Sequence, residues 1–124
     1  MKYIASTLCI LFLLCGNAYA FDKWTPQQKQ LEIANQVLMA MDWSQTRYIS
    51  DNPTRFKEVG CFGLIGEHPN RYQVDTYFAA YALSHLVITH VLPSKYRNKW
   101  QVGTLCMSAS VIVGNNNIGI KFVF

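Results

Sequence analysis

Three side chains near the middle of this sequence could do acid–base or nucleophilic chemistry. Glu67 and His68 are adjacent, and a carboxylate beside an imidazole is a candidate acid–base pair. Cys61 lies earlier in the same glycine-containing stretch and is a candidate nucleophile. No flanking motif accompanies them, and most Glu and His residues in loops are solvated or cap helices. We therefore favour a structural role for this stretch and keep catalysis as the weaker alternative.

His85 is the second candidate for chemistry. It is five residues from His90, a spacing that rotates the two rings by about 140° around a helix and disfavours a shared metal site. Asp75 lies on the same helical stripe as His85. A polar group on that stripe needs a partner, and Asp42 and Gln45 on the preceding helix are the candidates. We expect a polar contact that fixes helix packing, with a proton relay or metal site as the alternative, and we predict neither a metal nor a cofactor.

The first helix that must position these groups begins at a capping box. Thr25 can cap the helix, Pro26 suits its first position and Gln28 completes the box. The helix is predicted to run from Pro26 to Ser50 and to end before Pro53. Apolar residues recur along it at three- and four-residue spacing, which predicts an amphipathic helix. Its apolar face comprises Leu31, Ala34, Val37, Leu38, Ala40, Met41 and Tyr48, and its polar stripe comprises Gln28, Glu32, Asn35, Asp42 and Thr46.

A second helix is predicted to begin at Arg71, after the loop. Asn70 and Gln73 form another capping-box pattern in front of it. From Thr76 to Leu92 the chain then carries no Lys, Arg, Asp or Glu. Pro93 marks the end of this helix.

The third apolar segment is more weakly helical. A short basic connection covers residues 94–99, and residues 100–120 again lack charged side chains. A third helix is predicted at 102–113, although its glycine and β-branched residues weaken it, and a turn follows at 114–117. Residues 118–124 alternate in a way that predicts a short strand-like tail.

The fold class that follows is an all-α bundle of about three helices. The two uncharged segments are close to the length needed to cross a membrane, and we predict that both span it. Crossing inward along the second helix would place Lys95, Arg97 and Lys99 in the cytoplasm, in agreement with the positive-inside rule. The alternative is a soluble helical domain with a very apolar core.

Residues 1–20 have the pattern of a secretory signal peptide, with Lys2, an apolar stretch and Ala18-Tyr19-Ala20 as the cleavage site. Cleavage leaves one helical domain at 21–124, exported to the inner membrane or periplasm of a Gram-negative bacterium. Removing Lys2 leaves only a mild excess of positive charge over the seven Asp and Glu residues. Because no basic stripe accompanies that charge, we do not expect nucleic acid as a partner.

Two cysteines remain after this cleavage, Cys61 and Cys106. The membrane topology would separate them, so it predicts two unpaired thiols. The soluble alternative would place both in one oxidising compartment and allows a Cys61–Cys106 disulfide.

A longer pattern joins these segments. It comprises Trp43-x-Gln45-Thr46-Arg47-x-Ile49, Asn52-Pro53-x-Arg55 and Leu64-x-Gly66-Glu67-His68-Pro69. The pattern resembles that of a group of small, uncharacterised helical membrane proteins of bacteria and their phages. At residues 61–66 this chain departs from the Asn-Pro-Ile-Leu-Gly usual in that group. The resemblance implies a helical membrane architecture and carries no activity with it.

The leading functional hypothesis is a non-enzymatic accessory or interaction protein of the cell envelope. Its expected partners are membrane lipid and a second membrane protein. One alternative is a periplasmic binding module closed by the Cys61–Cys106 disulfide. The other is a membrane enzyme or transporter that uses Asp42, His85, Glu67 and His68.

Overall fold

Three α-helices follow one another in the computed structural model, which describes residues 22–124. They are α1 (Pro26–Asp51), α2 (Arg71–Val91) and α3 (Ser94–Asn117), and a short 3-10 turn at Cys61–Gly63 lies between α1 and α2. α1 packs against both other helices, whereas α2 and α3 contact each other least. The predicted all-α bundle of three helices is confirmed. The predicted signal peptide at 1–20 lies outside the described residues.

The first two helices begin where their capping boxes predict. The Thr25 hydroxyl accepts a hydrogen bond from the Gln28 backbone N–H, and the Gln28 side chain accepts one from the Thr25 backbone. Asn70 and Gln73 make the same reciprocal pair at the start of α2. Each box satisfies two backbone donors that a helix start leaves without intrahelical partners.

α3 is longer than predicted at both ends. It starts at Ser94 rather than 102, because the Asp22 carboxylate accepts the Ser94 backbone N–H at 2.9 Å. The presumed basic connection is therefore the first turn and a half of a helix, and Arg97 within it is buried. The predicted turn at 114–117 is wrong, since Asn115 is helical and its side chain donates to Gln45.

The predicted strand at 118–124 is also wrong. The tail has no strand partner among residues 22–124 and contacts α1 instead. Its Ile120 side chain is buried, and the Val123 backbone N–H donates to the Ser44 hydroxyl at 2.6 Å. The alternating pattern fits an extended segment, but a strand also needs a neighbour to pair with.

The interior of the bundle is unusually polar. Among the described residues, twelve polar or charged side chains are buried, against six hydrophobic ones. An amphipathic helix in water ordinarily buries its apolar stripe, yet α1 buries Glu32 and Asn35 and leaves Ile33 and Val37 more than half exposed. The polar stripe of α1 is thus an inner face of the bundle.

The outside of α2 and α3 is correspondingly apolar. We call the following set the uncharged outer surface, because its members are exposed and come from the two segments without Lys, Arg, Asp or Glu. It comprises Leu83, Leu86 and Val87 of α2 with Val102, Met107, Val111 and Val113 of α3. Exposed apolar side chains in such number are typical of a surface that contacts something other than water.

The expected pair of membrane-spanning helices is not found. Within residues 22–124, none of the helices combines the length and the apolar character that crossing a membrane requires. The reason lies in the polar residues that interrupt both segments, such as His85 in α2 and Gln101 in α3.

Candidate functional site

A cluster of buried polar side chains lies where the three helices meet, and we call it the polar centre. It comprises Glu32 and Asn35 of α1, His85 of α2, and Gln101 and Thr104 of α3, each at least nine-tenths buried. His85 Nδ1 lies 3.0 Å from Glu32 Oε1. His85 Nε2 lies 2.9 Å from the Thr104 hydroxyl. One imidazole therefore joins all three helices.

Helical spacing explains how each helix presents its share of this cluster. Glu32 and Asn35 are three residues apart on α1, and Gln101 and Thr104 are three apart on α3. Side chains at this spacing lie on one face of a helix. Asn35 Nδ2 donates to the Gln101 carbonyl oxygen at 3.0 Å, and Gln101 Nε2 donates to Glu32 Oε2 at 3.2 Å. The two helices are thus joined by reciprocal polar contacts.

An aromatic ring covers the histidine. The Trp100 ring stacks on the His85 ring with centroids 5.3 Å apart. Its Nε1 donates to the Thr89 hydroxyl at 3.0 Å. Thr89 lies one turn after His85 on α2, and its hydroxyl donates to the His85 carbonyl oxygen. Stacking of the Trp100 ring therefore restricts the orientation of the His85 imidazole in addition to the two hydrogen bonds of its nitrogens.

Glu32 is the acidic member of the polar centre. Burial raises the pKa of its carboxyl group, but hydrogen bonds from His85, Gln36 and Gln101 lower it more strongly, and the pKa falls from 4.5 to about 2. Gln36 Nε2 approaches Oε1 at 2.8 Å. Three donors around one carboxylate favour the ionised form even where water is excluded.

Donor counting indicates how the protons of the polar centre are arranged. Thr104 has one hydroxyl proton, and its oxygen lies 2.9 Å from both His85 Nε2 and Asn35 Oδ1. If His85 carries protons on both nitrogens, it donates to Glu32 and to Thr104, and Thr104 donates to Asn35. If Nε2 has no proton, Thr104 must donate to it, and Asn35 Oδ1 then loses its donor. With Glu32 ionised, the first arrangement satisfies these three contacts. The Thr104 hydroxyl also lies 3.0 Å from the Trp100 carbonyl oxygen and 3.1 Å from the Gln101 carbonyl oxygen, which are its other acceptors.

Arg97 extends the buried network to the end of α2. Its guanidinium group donates to the carbonyl oxygens of Thr89 and Leu92, both at 2.8 Å, and to Gln28 Oε1 at 3.0 Å. Helix ends leave carbonyl oxygens without intrahelical partners, and a cation there also complements the helix dipole. Arg97 is fully buried, so it serves as an internal cap of α2.

The polar centre has the groups for acid–base chemistry but is closed to a substrate. The side chains of His85 and Glu32 are 0% and 7% exposed. Gln101 Oε1 is buried without a hydrogen-bond partner among the described residues. The arrangement is suited to fixing the register of three helices against one another, because each contact specifies one relative position.

The predicted partners of His85 lie elsewhere. Gln45 is buried, but its Nε2 donates to the Ile112 carbonyl oxygen and its Oε1 accepts from Asn115, so it joins α1 to the far end of α3. Asp42 lies near Cys61 and near Tyr77 of α2. Burial and the nearby Glu58 charge raise the pKa of the Asp42 carboxyl from 3.8 to about 7. Neither residue contacts the imidazole.

Cys61 is not poised as a nucleophile. Burial, together with the charges of Glu58 and Asp42, raises the pKa of its thiol to about 12, and the thiolate is the reactive form. Cys61 and Cys106 are both free thiols. The disulfide of the alternative interpretation is therefore not formed.

The remaining predicted site residues have separate partners. Asp75 Oδ1 accepts a hydrogen bond from Trp43 Nε1 at 2.7 Å and lies 3.4 Å from Arg47 Nε. Glu67 pairs with Lys57 at 3.4 Å in the exposed loop. His68 is exposed in the same loop. The residues proposed for an enzyme or transporter thus fall into different environments rather than one site.

Glu32, Arg97, Gln101 and Thr104 carry the network, and sequence reasoning assigned none of them to a site. Glu32 stood on the polar stripe of the first helix. The signal that would have found Gln101 and Thr104 is their three-residue spacing inside an otherwise uncharged segment. Arg97 lies in the basic stretch 94–99 and carries no such signal. Within the part of the chain that the structure describes, His, Cys, Asp and Glu residues form no group of three or more that could hold a metal ion.

Comparison of the chain with known protein families, with curated proteins and with solved structures gives no match.

Proposed function

We propose that this protein is a small, non-enzymatic accessory protein of the cell envelope, and that its uncharged outer surface contacts membrane lipid. The observation that carries the proposal is the reversed polarity of the bundle. Most of the buried side chains among the described residues are polar, and many apolar side chains of α2 and α3 are exposed. The resemblance to small helical membrane proteins and the location in the inner membrane or periplasm belong to the same proposal.

The absence of charge on the outer surface supports lipid as the contact. Residues 76–92 and 100–120 contain no Lys, Arg, Asp or Glu, although many of their side chains are exposed. Helices that face water ordinarily carry charged residues on the exposed side. Leu83 and Met107 remain 63% and 60% exposed. Transfer of such apolar side chains out of water lowers the free energy.

The closed polar centre supports the same interpretation. Polar residues of helices that contact lipid point inward and bind one another, because the hydrocarbon offers them no hydrogen bonds. Glu32, His85 and Thr104 have this arrangement. Their inaccessibility also favours a non-enzymatic role over catalysis.

Vesicle flotation tests this proposal. The full chain is mixed with phosphatidylcholine vesicles, and we expect it to float with them. Val87→Glu on α2 and Val111→Glu on α3 should each lower the bound fraction, since a charge on a lipid-facing surface costs about 1–3 kcal/mol, roughly a fivefold or larger loss of binding.

The matched control is Val59→Glu in the loop between α1 and α2. Val59 is 83% exposed, whereas Val87 and Val111 are 45% and 46% exposed. The control should float like the wild-type chain, and circular dichroism should show the same helix content in all variants. A wild-type chain that stays with the aqueous fraction, or outer-surface variants that float unchanged, would contradict the proposal.

A further inference from the structure

An open groove of about 330 Å³ runs between α1 and α2. Two hydrogen bonds between α1 and α2 mark the two ends of the groove. Gln36 Nε2 donates to the Ala82 carbonyl oxygen at one end, and Trp43 Nε1 donates to Asp75 at the other. Gln36 and Trp43 are seven residues apart, about 10 Å along a helix. Its volume is within the range of sites that hold small apolar molecules.

Small side chains create this space. Ala40 of α1 and Ala79 and Ala82 of α2 line the groove, with Met39 and Phe78 as its larger apolar walls. Ala40 and Ala79 are exposed, so the groove is open along one side. A longer residue at any of the three alanine positions would occupy part of the volume.

The hydrogen-bond donors that line the groove already have acceptors in the protein. Gln36 Nε2 donates to Glu32 Oε1 and to the Ala82 carbonyl oxygen. The indole N–H of Trp43 is used by Asp75. A polar occupant would lose hydrogen bonds to water and would find no free donor to replace them. An alkyl chain makes no hydrogen bonds to water and therefore loses none.

The groove is continuous with exposed apolar side chains on both helices. Val37 and Ile33 lie one and two turns before Ala40 on α1, and Leu83 and Leu86 follow Ala79 at helical spacing on α2. Leu83 and Leu86 belong to the uncharged outer surface. An occupant of the groove therefore enters from the side that faces lipid in the proposed function.

We propose that this groove holds one acyl chain of a membrane phospholipid. The inference rests on the proposed function and adds a defined lipid site to it. The bound chain would contact Phe78 and the alanines along its length and would reach Trp43 at one end. Recognition depends on apolar burial and shape, so it selects an alkyl chain over a polar ligand.

Trp43 reports on the occupant because its ring lines the groove. The full chain is bound to phosphatidylcholine vesicles whose acyl chains are dibrominated, since bromine quenches indole fluorescence on contact. The difference in quenching between the wild-type chain and Trp43→Phe isolates Trp43 from Trp24 and Trp100. We expect Trp43 to account for a large part of the total quenching.

Two leucine variants separate the groove from general lipid contact. Ala79→Leu should reduce the quenching of Trp43 to about half or less, because the added side chain fills the groove. Ala80→Leu is the matched control, since Ala80 is an exposed neighbour that does not line the groove. It should leave the quenching unchanged.

Flotation of the same samples distinguishes the two proposals. Vesicle binding without Trp43 quenching, or equal quenching in both leucine variants, would overturn the acyl-chain site and leave lipid contact standing. A wild-type chain that does not float with the vesicles would overturn both the acyl-chain site and the proposed lipid contact. Quenching by a dibrominated free fatty acid in water but not by the phospholipid would overturn the assignment to a membrane lipid.

Discussion

The pH dependence of stability should reveal the ionised Glu32 inside the bundle. The carboxyl group has a pKa of about 2 in the folded protein and an ordinary value of 4.5. A lowered pKa means that the folded state binds the proton less tightly than the unfolded chain. The resulting stabilisation is fully present above pH 4.5 and is lost as the pH falls towards 2. At about 1.4 kcal/mol for each tenfold change in proton affinity, it amounts to about 3 kcal/mol.

Glu32→Gln is the perturbation that tests this value. The amide keeps the shape of the side chain and removes its charge, so the variant should resemble the protonated wild type. We expect the free energy of unfolding of the variant to be lower by about 3 kcal/mol at pH 6. The two proteins should become nearly equal at pH 2.

The assay is urea unfolding followed by far-UV circular dichroism in a mild non-ionic detergent between pH 2 and pH 7. Glu67→Gln provides the control, because Glu67 is exposed and its carboxylate pairs with Lys57 at 3.4 Å on the surface. The free energy of unfolding of this variant should change with pH in the same way as that of the wild type. Parallel profiles for the wild type and Glu32→Gln would refute the assignment of a buried, donor-saturated carboxylate.

Two further predictions concern the interior. Thr104→Val removes the hydroxyl group that contacts His85 and Asn35 and should cost about 1–3 kcal/mol in urea unfolding; Thr104→Ser keeps the hydroxyl group and should cost less, so equal losses would contradict the hydrogen-bond arrangement. Asp42 has a pKa raised to about 7, so the folded state holds its proton more tightly and wild-type stability should fall as the pH rises from about 4 to 7. Asp42→Asn should remove this fall and raise the melting temperature at pH 8, and a variant that melts below the wild type there would contradict the argument.

The helix starts could be predicted because their causes are local. Thr25 and Gln28, like Asn70 and Gln73, lie within one turn of each other, and their reciprocal hydrogen bonds need no distant residue. The start of α3 could not be found in this way. Residues 94–97 are helical where the Asp22 carboxylate accepts the Ser94 backbone N–H and carbonyl oxygens at the end of α2 accept hydrogen bonds from Arg97. These contacts exist only in the folded bundle.

The polar centre could be predicted only in part from the sequence. The polar stripe of α1, including Glu32, was recognised, but a stripe alone does not state whether it faces water or a neighbouring helix. The partner of His85 is 53 residues away, and spacing along one helix carries no information about such a pair. The tail shows the same limit, since its alternation could not reveal that Val123 meets a serine hydroxyl group rather than a strand.

Protection of the native thiol on α3 tests the central claim most directly. Cys106 is exposed and lies in the uncharged segment 100–120. Its alkylation by a membrane-impermeant maleimide is followed by mass spectrometry before and after phosphatidylcholine vesicles are added, with Val59→Cys as the loop control. The account predicts that vesicles slow the reaction of Cys106 several-fold and leave the loop cysteine reactive. Equal rates for Cys106 with and without vesicles would contradict the claim that the uncharged outer surface contacts lipid.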